Sequence, residues 1–288
     1  MDILYTINNR LFSNTFLLNS LPKAGTNLVK KVIDLFPGVR YSGRSFDRRL
    51  NFAKFEAPKS DRNRVIPIGV DWPAEGSRQT IEKSLKKLQK IKGGHYVLGH
   101  IPYSQNMEDL LTDMHMKSLL ILRDPRDVVV SHMHNISSNP THFLHEVYQS
   151  LSDSEKLLVS IVGFGKDGSA EDGPMLLNIK ERYESVTPWR NKEFNYTTYF
   201  ERLVGSAGGG SNQSQIGEIR NIANHLGIKC STRQLNSISS QVFGGSLTFR
   251  KGKIGGWSDY FSEEHKQVFK DIAGQLLIDE GYEKDLDW

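Results

Sequence analysis

The chain has 288 residues, of which 38% are hydrophobic and 24% are charged, and its formal net charge is +4. These values are ordinary for one large globular domain or two small ones, and they exclude a chain that is disordered throughout. The charge is far below that of a nucleic-acid-binding tail, although a mildly basic balance suits an anionic ligand such as a nucleotide.

The sequence has few features that indicate a cellular compartment or a membrane association. Cys230 is the single cysteine, which rules out an internal disulfide and fits a reducing compartment. Residues 1–11 lack the apolar core of a signal peptide, and no uncharged apolar run reaches the roughly 18 residues of a membrane helix. We therefore expect a cytoplasmic protein with neither a membrane nor a nucleic-acid partner.

The first elements alternate between strand and helix. The apolar run at residues 15–21 predicts a strand that ends at Pro22 and Gly25. Apolar residues at helical spacing over residues 27–36 predict a helix directly after this turn. Residues 40–72 show no period and predict a long irregular segment, of the kind that often forms a binding loop.

The same alternation continues along the chain. Residues 79–92 predict an amphipathic helix with a lysine-rich solvated face. Short apolar runs at residues 95–98, 117–122 and 194–199 predict three further strands, and residues 123–127 open a helix after the second of them.

The C-terminal part begins with a glycine-rich stretch at residues 205–211, which predicts a flexible loop. Residues 213–226 and 263–279 predict helices. We find no repeat and no linker. The pattern therefore predicts one α/β domain over residues 1–288, with a parallel sheet that helices cover on both faces.

Residues 22–27 (PKAGTN) join the first strand to the first helix and favour an anion. Ligands of open parallel sheets bind beyond the carboxyl ends of the strands. Gly25 allows the backbone to turn closely around an anion, and the N–H groups at the start of the helix point towards that anion. Lys23 adds a positive charge, and Thr26 adds a hydroxyl donor. The segment is not a Walker loop, because its lysine precedes the glycine. A plain strand-to-helix turn is the alternative interpretation.

Arg123 stands at the tip of the strand at residues 117–122, and Ser131 lies two helical turns further on. The planar guanidinium matches phosphate oxygens. Alternatively, Arg123 is structural and pairs with Asp124 or Asp127.

A third cationic segment, Arg250-Lys251-Gly252, precedes Gly255-Gly256-Trp257. Adjacent cations beside glycines form an anion clamp, and an exposed basic turn is the alternative.

Together, the three segments resemble the family of sulfotransferases that use 3′-phosphoadenosine-5′-phosphosulfate (PAPS). The family's motifs read PKSGT, RDPRD followed by a serine, and RKGxxGDW, and here they read PKAGT, RDPRDVVVS and RKGKIGGW in the same order. The resemblance extends from residue 22 to residue 257. The first loop ends like that of the bacterial branch, which includes tailoring enzymes of natural-product pathways such as those of saxitoxin-type toxins.

The resemblance implies a roughly five-stranded parallel sheet related to nucleotide kinases. It also implies transfer of a sulfuryl group from PAPS to a small-molecule acceptor, with PAP as the second product. The implied ligands of the 5′-phosphosulfate are Lys23, Ala24, Gly25, Thr26 and Asn27. The implied ligands of the 3′-phosphate are Arg123, Ser131, Arg250, Lys251 and Gly252.

His100 is the candidate catalytic base. In the family, a catalytic histidine follows the strand that corresponds to residues 95–98, in a Lys-Thr-His-hydrophobic-Pro motif. His100-Ile101-Pro102 matches the second half of that motif. A neutral imidazole can take the acceptor's proton. Lys23 would stabilise charge on the oxygen that bridges sulfur and phosphorus. For His100 a structural role is the alternative, and for His132 and His134 we expect one.

The sequence departs from the family at three positions. Leu98 replaces a lysine two residues before the histidine, and Leu28 replaces a tryptophan that packs on adenine. Phe200 stands where the family has an adenine-facing tyrosine. Phe243 is our candidate for an aromatic wall against adenine, with a core role as the alternative for both phenylalanines.

No histidine, cysteine or carboxylate cluster has metal-ligand spacing, so we expect no metal. Two alternative functions stay open. A kinase-like phosphoryl transferase is disfavoured by the missing Walker lysine and Mg²⁺ carboxylates. A non-catalytic PAP- or PAPS-binding protein is supported by Leu98 and opposed by His100 and Lys23.

The acceptor itself is not readable from the sequence. We expect a small molecule that offers a hydroxyl, or an amine or guanidine nitrogen. Its pocket is expected to form from residues 40–72, 103–109 and 136–148.

Overall fold

The buried apolar runs of the sequence form a parallel sheet. The computed structural model describes residues 15–46, 65–71, 78–165, 175–244 and 252–288. Their strands are β1 (Phe16–Ser20), β2 (Arg40–Ser45), β3 (Val65–Pro67), β4 (Arg78–Thr80), β5 (His95–Gly99), β6 (Lys117–Leu122) and β7 (Asn195–Tyr199). Five of them pair in the order β2-β5-β1-β6-β7, and every pairing is parallel. β3 and β4 form a separate antiparallel pair. The predicted five-stranded parallel sheet is confirmed.

Helices follow β1, β4, β5, β6 and β7 along the chain. They are α1 (Thr26–Asp34), α2 (Ile81–Leu88), α3 (Gln105–Asp113), α4 (Pro125–Ser138), α5 (His145–Gln149), α6 (Asp153–Val162), α7 (Ile179–Glu184), α8 (Phe200–Leu203), α9 (Asn212–Leu226), α10 (Thr232–Val242) and α11 (Glu263–Asp279). Short 3₁₀ turns lie at Thr187–Asn191, Ser206–Gly208 and Gly256–Asp259. Side-chain caps start many of the helices, as at Ser152 before α6 and Ser262 before α11. Within these ranges, no helix is both long enough and apolar enough to cross a membrane.

The sheet is covered on both faces, as predicted, because successive strand residues point to opposite sides. Leu18 and its register partner Leu119 lie in a core with residues of α1, α9 and α10. Leu17 and Leu120 lie in the other core, with residues of α4, α6 and α11. Each face therefore buries its own layer of helices.

The prediction of irregular structure over residues 40–72 is wrong in part. β2 and β3 lie inside this segment, and residues 47–64 are outside the described ranges. β2 reads RYSGRS and is partly exposed, because among the described strands it lies at the edge of the sheet and pairs with β5 alone. An exposed edge strand has little apolar alternation for a sequence pattern to detect.

The glycine-rich residues 205–211, which composition predicts to be a flexible loop, pack closely against the C-terminal segment. They contain a 3₁₀ turn, and the carbonyl oxygen of Gly208 accepts a hydrogen bond from the N–H of Ile254 at 2.9 Å. A Cβ on Gly208 would lie 2.5 Å from the carbonyl oxygen of Gly252. The small residue therefore permits close contact between two backbone segments.

Candidate active site

A cavity of about 440 Å³ opens at the carboxyl ends of the central strands. The parallel register brings the ends of β1, β5 and β6 to one edge, so Lys23, His100 and Arg123 all line it. The predicted site residues that line the cavity are Lys23, Gly25, Thr26, Asn27, His100, Arg123, Ser131, Phe243 and Gly252. The three loops that carry the sequence motifs therefore meet at one cavity.

Three predicted residues are not in this group. Ala24 does not line the cavity; it is fully buried, and its N–H donates to the carbonyl oxygen of Leu21 at 3.1 Å. Ala24 therefore serves the turn itself. Arg250 and Lys251 lie outside the described residues.

The loop between β1 and α1 holds a strained backbone. Lys23 has φ of 69° and Gly25 has φ of 112°, and such positive values are uncommon for a residue with a side chain. A Cβ on Gly25 would lie 2.9 Å from Cδ2 of Phe200, so the position requires glycine for space as well. This conformation aims Lys23 into the cavity and starts α1 beside it.

The ammonium of Lys23 reaches across the cavity to α4, where its Nζ donates to Oδ1 of Asn135 at 2.9 Å. Burial lowers the pKa of Lys23, and Arg123 lowers it further, whereas Asp71 raises it. The charge of Lys23 is therefore one that an anionic ligand would stabilise.

His100 is held at the end of β5 by the end of β1. Its Nδ1 lies 2.8 Å from the carbonyl oxygen of Ser20 and 2.9 Å from Oγ of the same residue. A carbonyl oxygen can only accept, so Nδ1 carries the hydrogen of the neutral ring and Nε2 carries the lone pair. Oγ of Ser20 also lies 2.7 Å from Oγ1 of Thr26. The base candidate and the phosphate loop therefore share Ser20.

Arg123 is fixed from three sides. Its Nη2 lies 3.2 Å from Oδ2 of Asp127 and donates to the carbonyl oxygen of Lys253 at 2.8 Å. Its guanidinium lies 4.1 Å above the ring of Phe200. The alternative of a pair with Asp127 is thus observed, but Arg123 still lines the cavity, so the pair orients the guanidinium rather than removing it from the site.

The other arginine of the same motif has a structural role. Arg126 is buried, pairs with Asp124 at 2.8 Å and lies 4.2 Å and 4.6 Å from the ring centroids of Trp257 and Trp288. It does not line the cavity. This buried contact anchors the C-terminal segment to the start of α4.

We define a second region of the cavity by five of its lining residues. It is lined by Asp71, Leu98, His132, Asn135 and His142. Burial alone would raise the pKa of Asp71, but His132, Arg182 and His100 together hold it well below its ordinary value. Burial lowers the pKa of His132, and burial together with His132 lowers the pKa of His142 to about 4. Asp71 is therefore ionised here, and both histidines are neutral at physiological pH.

Two lining cations, Lys31 and Lys253, were not predicted from the sequence. Leu28 and Phe200, which stand at the family's adenine-facing positions, also line the cavity and add apolar walls. Residues 40–72 and 136–148 were expected to form the acceptor pocket, and they contribute Asp71 and His142. Residues 103–109 do not line the cavity; Tyr103 instead packs edge-on against Trp189. In the described part of the chain, no three His, Cys, Asp or Glu side chains converge to hold a metal.

Comparison with known proteins places this chain in a family. The family model of the sulfotransferase domain matches residues 13–281. Cytosolic sulfotransferase 17 of Arabidopsis thaliana is 26% identical over 278 residues, which are 87% of this chain and 70% of the relative.

Solved structures share the fold. Mouse sulfotransferase SULT7A1 complexed with PAP has a TM-score of 0.60 at 16% identity, over 96% of this chain and 88% of that one. Retinol dehydratase in complex with androsterone and PAP has a TM-score of 0.56 at 19% identity, over 95% of this chain and 84% of that one. The resemblance carried by the three motifs is thereby confirmed, and the chain belongs to the PAPS-dependent sulfotransferase family.

Proposed function

We propose that this sulfotransferase transfers the sulfuryl group of PAPS to a hydroxyl of a small molecule, with His100 as the general base and PAP as the second product. An amine or guanidine nitrogen is the alternative nucleophile. The observation that carries the proposal is the orientation of His100, whose Nδ1 is bound by Ser20 while its ring lines the same cavity as Lys23.

The charged lining of the cavity fits a ligand with several phosphate and sulfate oxygens. Among the described residues, the lining cations are Lys23, Lys31, Arg123 and Lys253, against the carboxylates Asp71 and Asp127. Nε of Arg123 is buried and has no hydrogen-bond partner among the described residues. Its N–H can therefore donate a hydrogen bond to an anionic ligand. The two structural relatives described above are complexes with PAP, which supports the same class of ligand.

Different residues of the cavity would bind different parts of PAPS. PAPS supplies the group that is transferred. Lys23, Gly25, Thr26 and Asn27 bind its 5′ end, as the family motif implies. Arg123, Ser131 and Gly252 bind the 3′-phosphate, together with Arg250 and Lys251 outside the described ranges. Phe243 lines the cavity beside Gly244 and suits an apolar wall for the base.

The catalytic pair is proposed to be His100 and Lys23. Nε2 of His100 takes the proton of the attacking hydroxyl, because the hydrogen bond of Nδ1 to Ser20 leaves the ring lone pair at Nε2. Lys23, positioned by Asn135, stabilises the negative charge that develops on the leaving group. Leu98 lines the cavity where the family has a second lysine, so this cation is replaced by an apolar surface.

A direct test is to measure PAP release from PAPS with a panel of small alcohols, phenols and amines. Acceptor-dependent PAP release supports the proposal. Tight PAP binding without turnover on the whole panel favours the non-catalytic alternative, and phosphoryl transfer from ATP favours the kinase-like one. A role in natural-product biosynthesis and a cytoplasmic location stay predictions.

A further inference from the structure

Asp71 and His132 form a polar pair in the second region of the cavity. Both line the cavity, and Nε2 of His132 lies 3.6 Å from Oδ2 of Asp71. This separation exceeds a normal hydrogen bond, which spans about 2.7–3.2 Å between nitrogen and oxygen. At this distance the two groups are neighbours without a direct hydrogen bond, so both can bond to a third polar group placed beside them.

The hydrogen on His132 can be assigned from its other nitrogen. Nη1 of Arg182 lies 3.2 Å from Nδ1 of His132. A guanidinium can only donate, so Nδ1 accepts, and Nε2 of the neutral ring carries the hydrogen. His132 is 1% exposed, and its Nε2 has no hydrogen-bond partner among the described residues. A buried donor without a partner costs free energy unless a ligand or water satisfies it.

Asp71 supplies the complementary group. It is ionised, and its contact with Nη1 of Arg182 is 3.5 Å, which is at the limit of hydrogen bonding. Arg182 is buried behind the cavity wall and does not line it. The side that faces the cavity is therefore a carboxylate that accepts, next to an imidazole N–H that donates.

The pair lies close to the proposed base. The N–H of Gly69, two residues before Asp71, donates to the carbonyl oxygen of His100 at 3.0 Å. The N–H of Leu177 donates to the carbonyl oxygen of Asp71 at 3.0 Å and fixes the backbone there. A molecule whose reacting hydroxyl meets His100 would thus extend towards Asp71 and His132.

We propose that Asp71 and His132 form a subsite for a second hydroxyl of the acceptor, so that the enzyme prefers polyhydroxylated acceptors. A hydroxyl both donates and accepts, so it can donate to Asp71 while it accepts from Nε2–H of His132. An ammonium group can only donate and would leave Nε2–H unpaired, and a carboxylate would be repelled by Asp71. This inference rests on the proposed function, because it assumes that the acceptor occupies this region.

The experiment compares binding of cyclohexanol with that of the 1,2-, 1,3- and 1,4-cyclohexanediols to the enzyme–PAP complex by calorimetry. The three diols sample different hydroxyl spacings, and binding does not depend on turnover. A hydrogen bond to a charged group predicts that at least one diol binds roughly ten- to a hundredfold more tightly than cyclohexanol. In Asp71→Asn this preference should fall below about threefold.

Glu280→Gln is the matched control. Glu280 is likewise a carboxylate that pairs with an arginine, Arg190, but it does not line the cavity. Its variant should retain the diol preference, and melting curves of both variants report any loss of fold. If Asp71→Asn does not fold, the comparison of cyclohexanol with the diols in the unmodified enzyme still tests the subsite.

A diol preference below threefold in the unmodified enzyme would overturn the subsite. So would an undiminished preference in a folded Asp71→Asn protein, or an equal loss of affinity for cyclohexanol and the diols. Failure of the proposed function has a different signature. In that case PAP does not bind, or no acceptor is sulfated, and the diol comparison on the free enzyme still tests the subsite.

Discussion

Arg123 and Asp127 are one helical turn apart and form an ion pair of 3.2 Å at the entrance of α4. Asp127 also accepts hydrogen bonds from the N–H groups of Gly255 and Trp257, at 3.1 and 2.9 Å. One buried carboxylate therefore joins two of the three segments that carry the family resemblance. The pair places the guanidinium and the glycine-rich C-terminal loop on one side of the cavity.

The first prediction concerns Arg123. Arg123→Ala should weaken the binding free energy of PAP by roughly 1.5–3 kcal/mol, because it removes a charge-assisted hydrogen bond. Arg123→Lys keeps the charge and loses the planar fork, so its affinity should lie between the two. Calorimetry measures both. Equal affinity in the Ala variant and the unmodified protein would remove Arg123 from the 3′-phosphate site.

The second prediction concerns the contact of Gly208 with the C-terminal loop. In Gly208→Ala, the added Cβ would lie 2.1 Å from Cγ2 of Val204 and 2.5 Å from the carbonyl oxygen of Gly252. Overpacking of this kind typically costs about 1–3 kcal/mol of the free energy of unfolding. Because Gly252 lines the cavity, PAP affinity should fall as well.

Gly217→Ala is the control for that measurement. Gly217 lies in α9, and a Cβ there meets nothing within 4 Å. Alanine in a helix should leave stability unchanged or raise it by up to about 1 kcal/mol. Chemical denaturation measures the stability of both variants, and calorimetry measures their affinity for PAP. A Gly208→Ala protein as stable and as tight-binding as Gly217→Ala would contradict the packing role.

The sequence predicted part of the site and missed another part. Lys23, His100 and Arg123 each follow an apolar run, and parallel strands end at one edge, so their meeting was predictable. Asp71 was not, because a backbone contact between Gly69 and His100 places it, and this contact leaves no local pattern. Composition also could not distinguish a flexible glycine loop from close backbone packing at Gly208.

The third prediction concerns metal dependence. Sulfuryl transfer should proceed at an unchanged rate in excess EDTA, because the developing charge is assigned to Lys23 and backbone N–H groups. PAP formation is the readout, with and without added Mg²⁺. Loss of turnover in EDTA that Mg²⁺ restores would favour the kinase-like alternative.

The fourth prediction concerns Glu201, a buried carboxyl behind the arginine loop. It accepts a hydrogen bond from the N–H of Asp124 at 2.9 Å and faces the hydroxyl of Tyr282, with Arg123 nearby. Burial raises the pKa of Glu201 from 4.5 to about 7. The folded state therefore holds this proton over a range where the unfolded chain has released it.

A raised carboxyl pKa stabilises the fold fully below pH 4.5, and this contribution is lost as the pH rises through about 7. The loss amounts to up to roughly 3 kcal/mol. Glu201→Gln cannot titrate, so its stability should change less than that of the unmodified protein between pH 5 and pH 8. Urea denaturation at both pH values measures this. Parallel pH dependences in the two proteins would show that Glu201 does not titrate in this range.

The central claim is that His100 is the general base, and the most direct test measures turnover and PAP affinity side by side in His100→Ala and His100→Asn. PAP affinity should stay near that of the unmodified enzyme, because the imidazole serves the acceptor. Turnover with a genuine acceptor should fall by roughly 10²–10⁴, the usual contribution of a positioned base, and asparagine should rescue little because it has no useful basicity. A His100→Ala enzyme with intact PAP binding that keeps more than about a tenth of its activity would contradict the account.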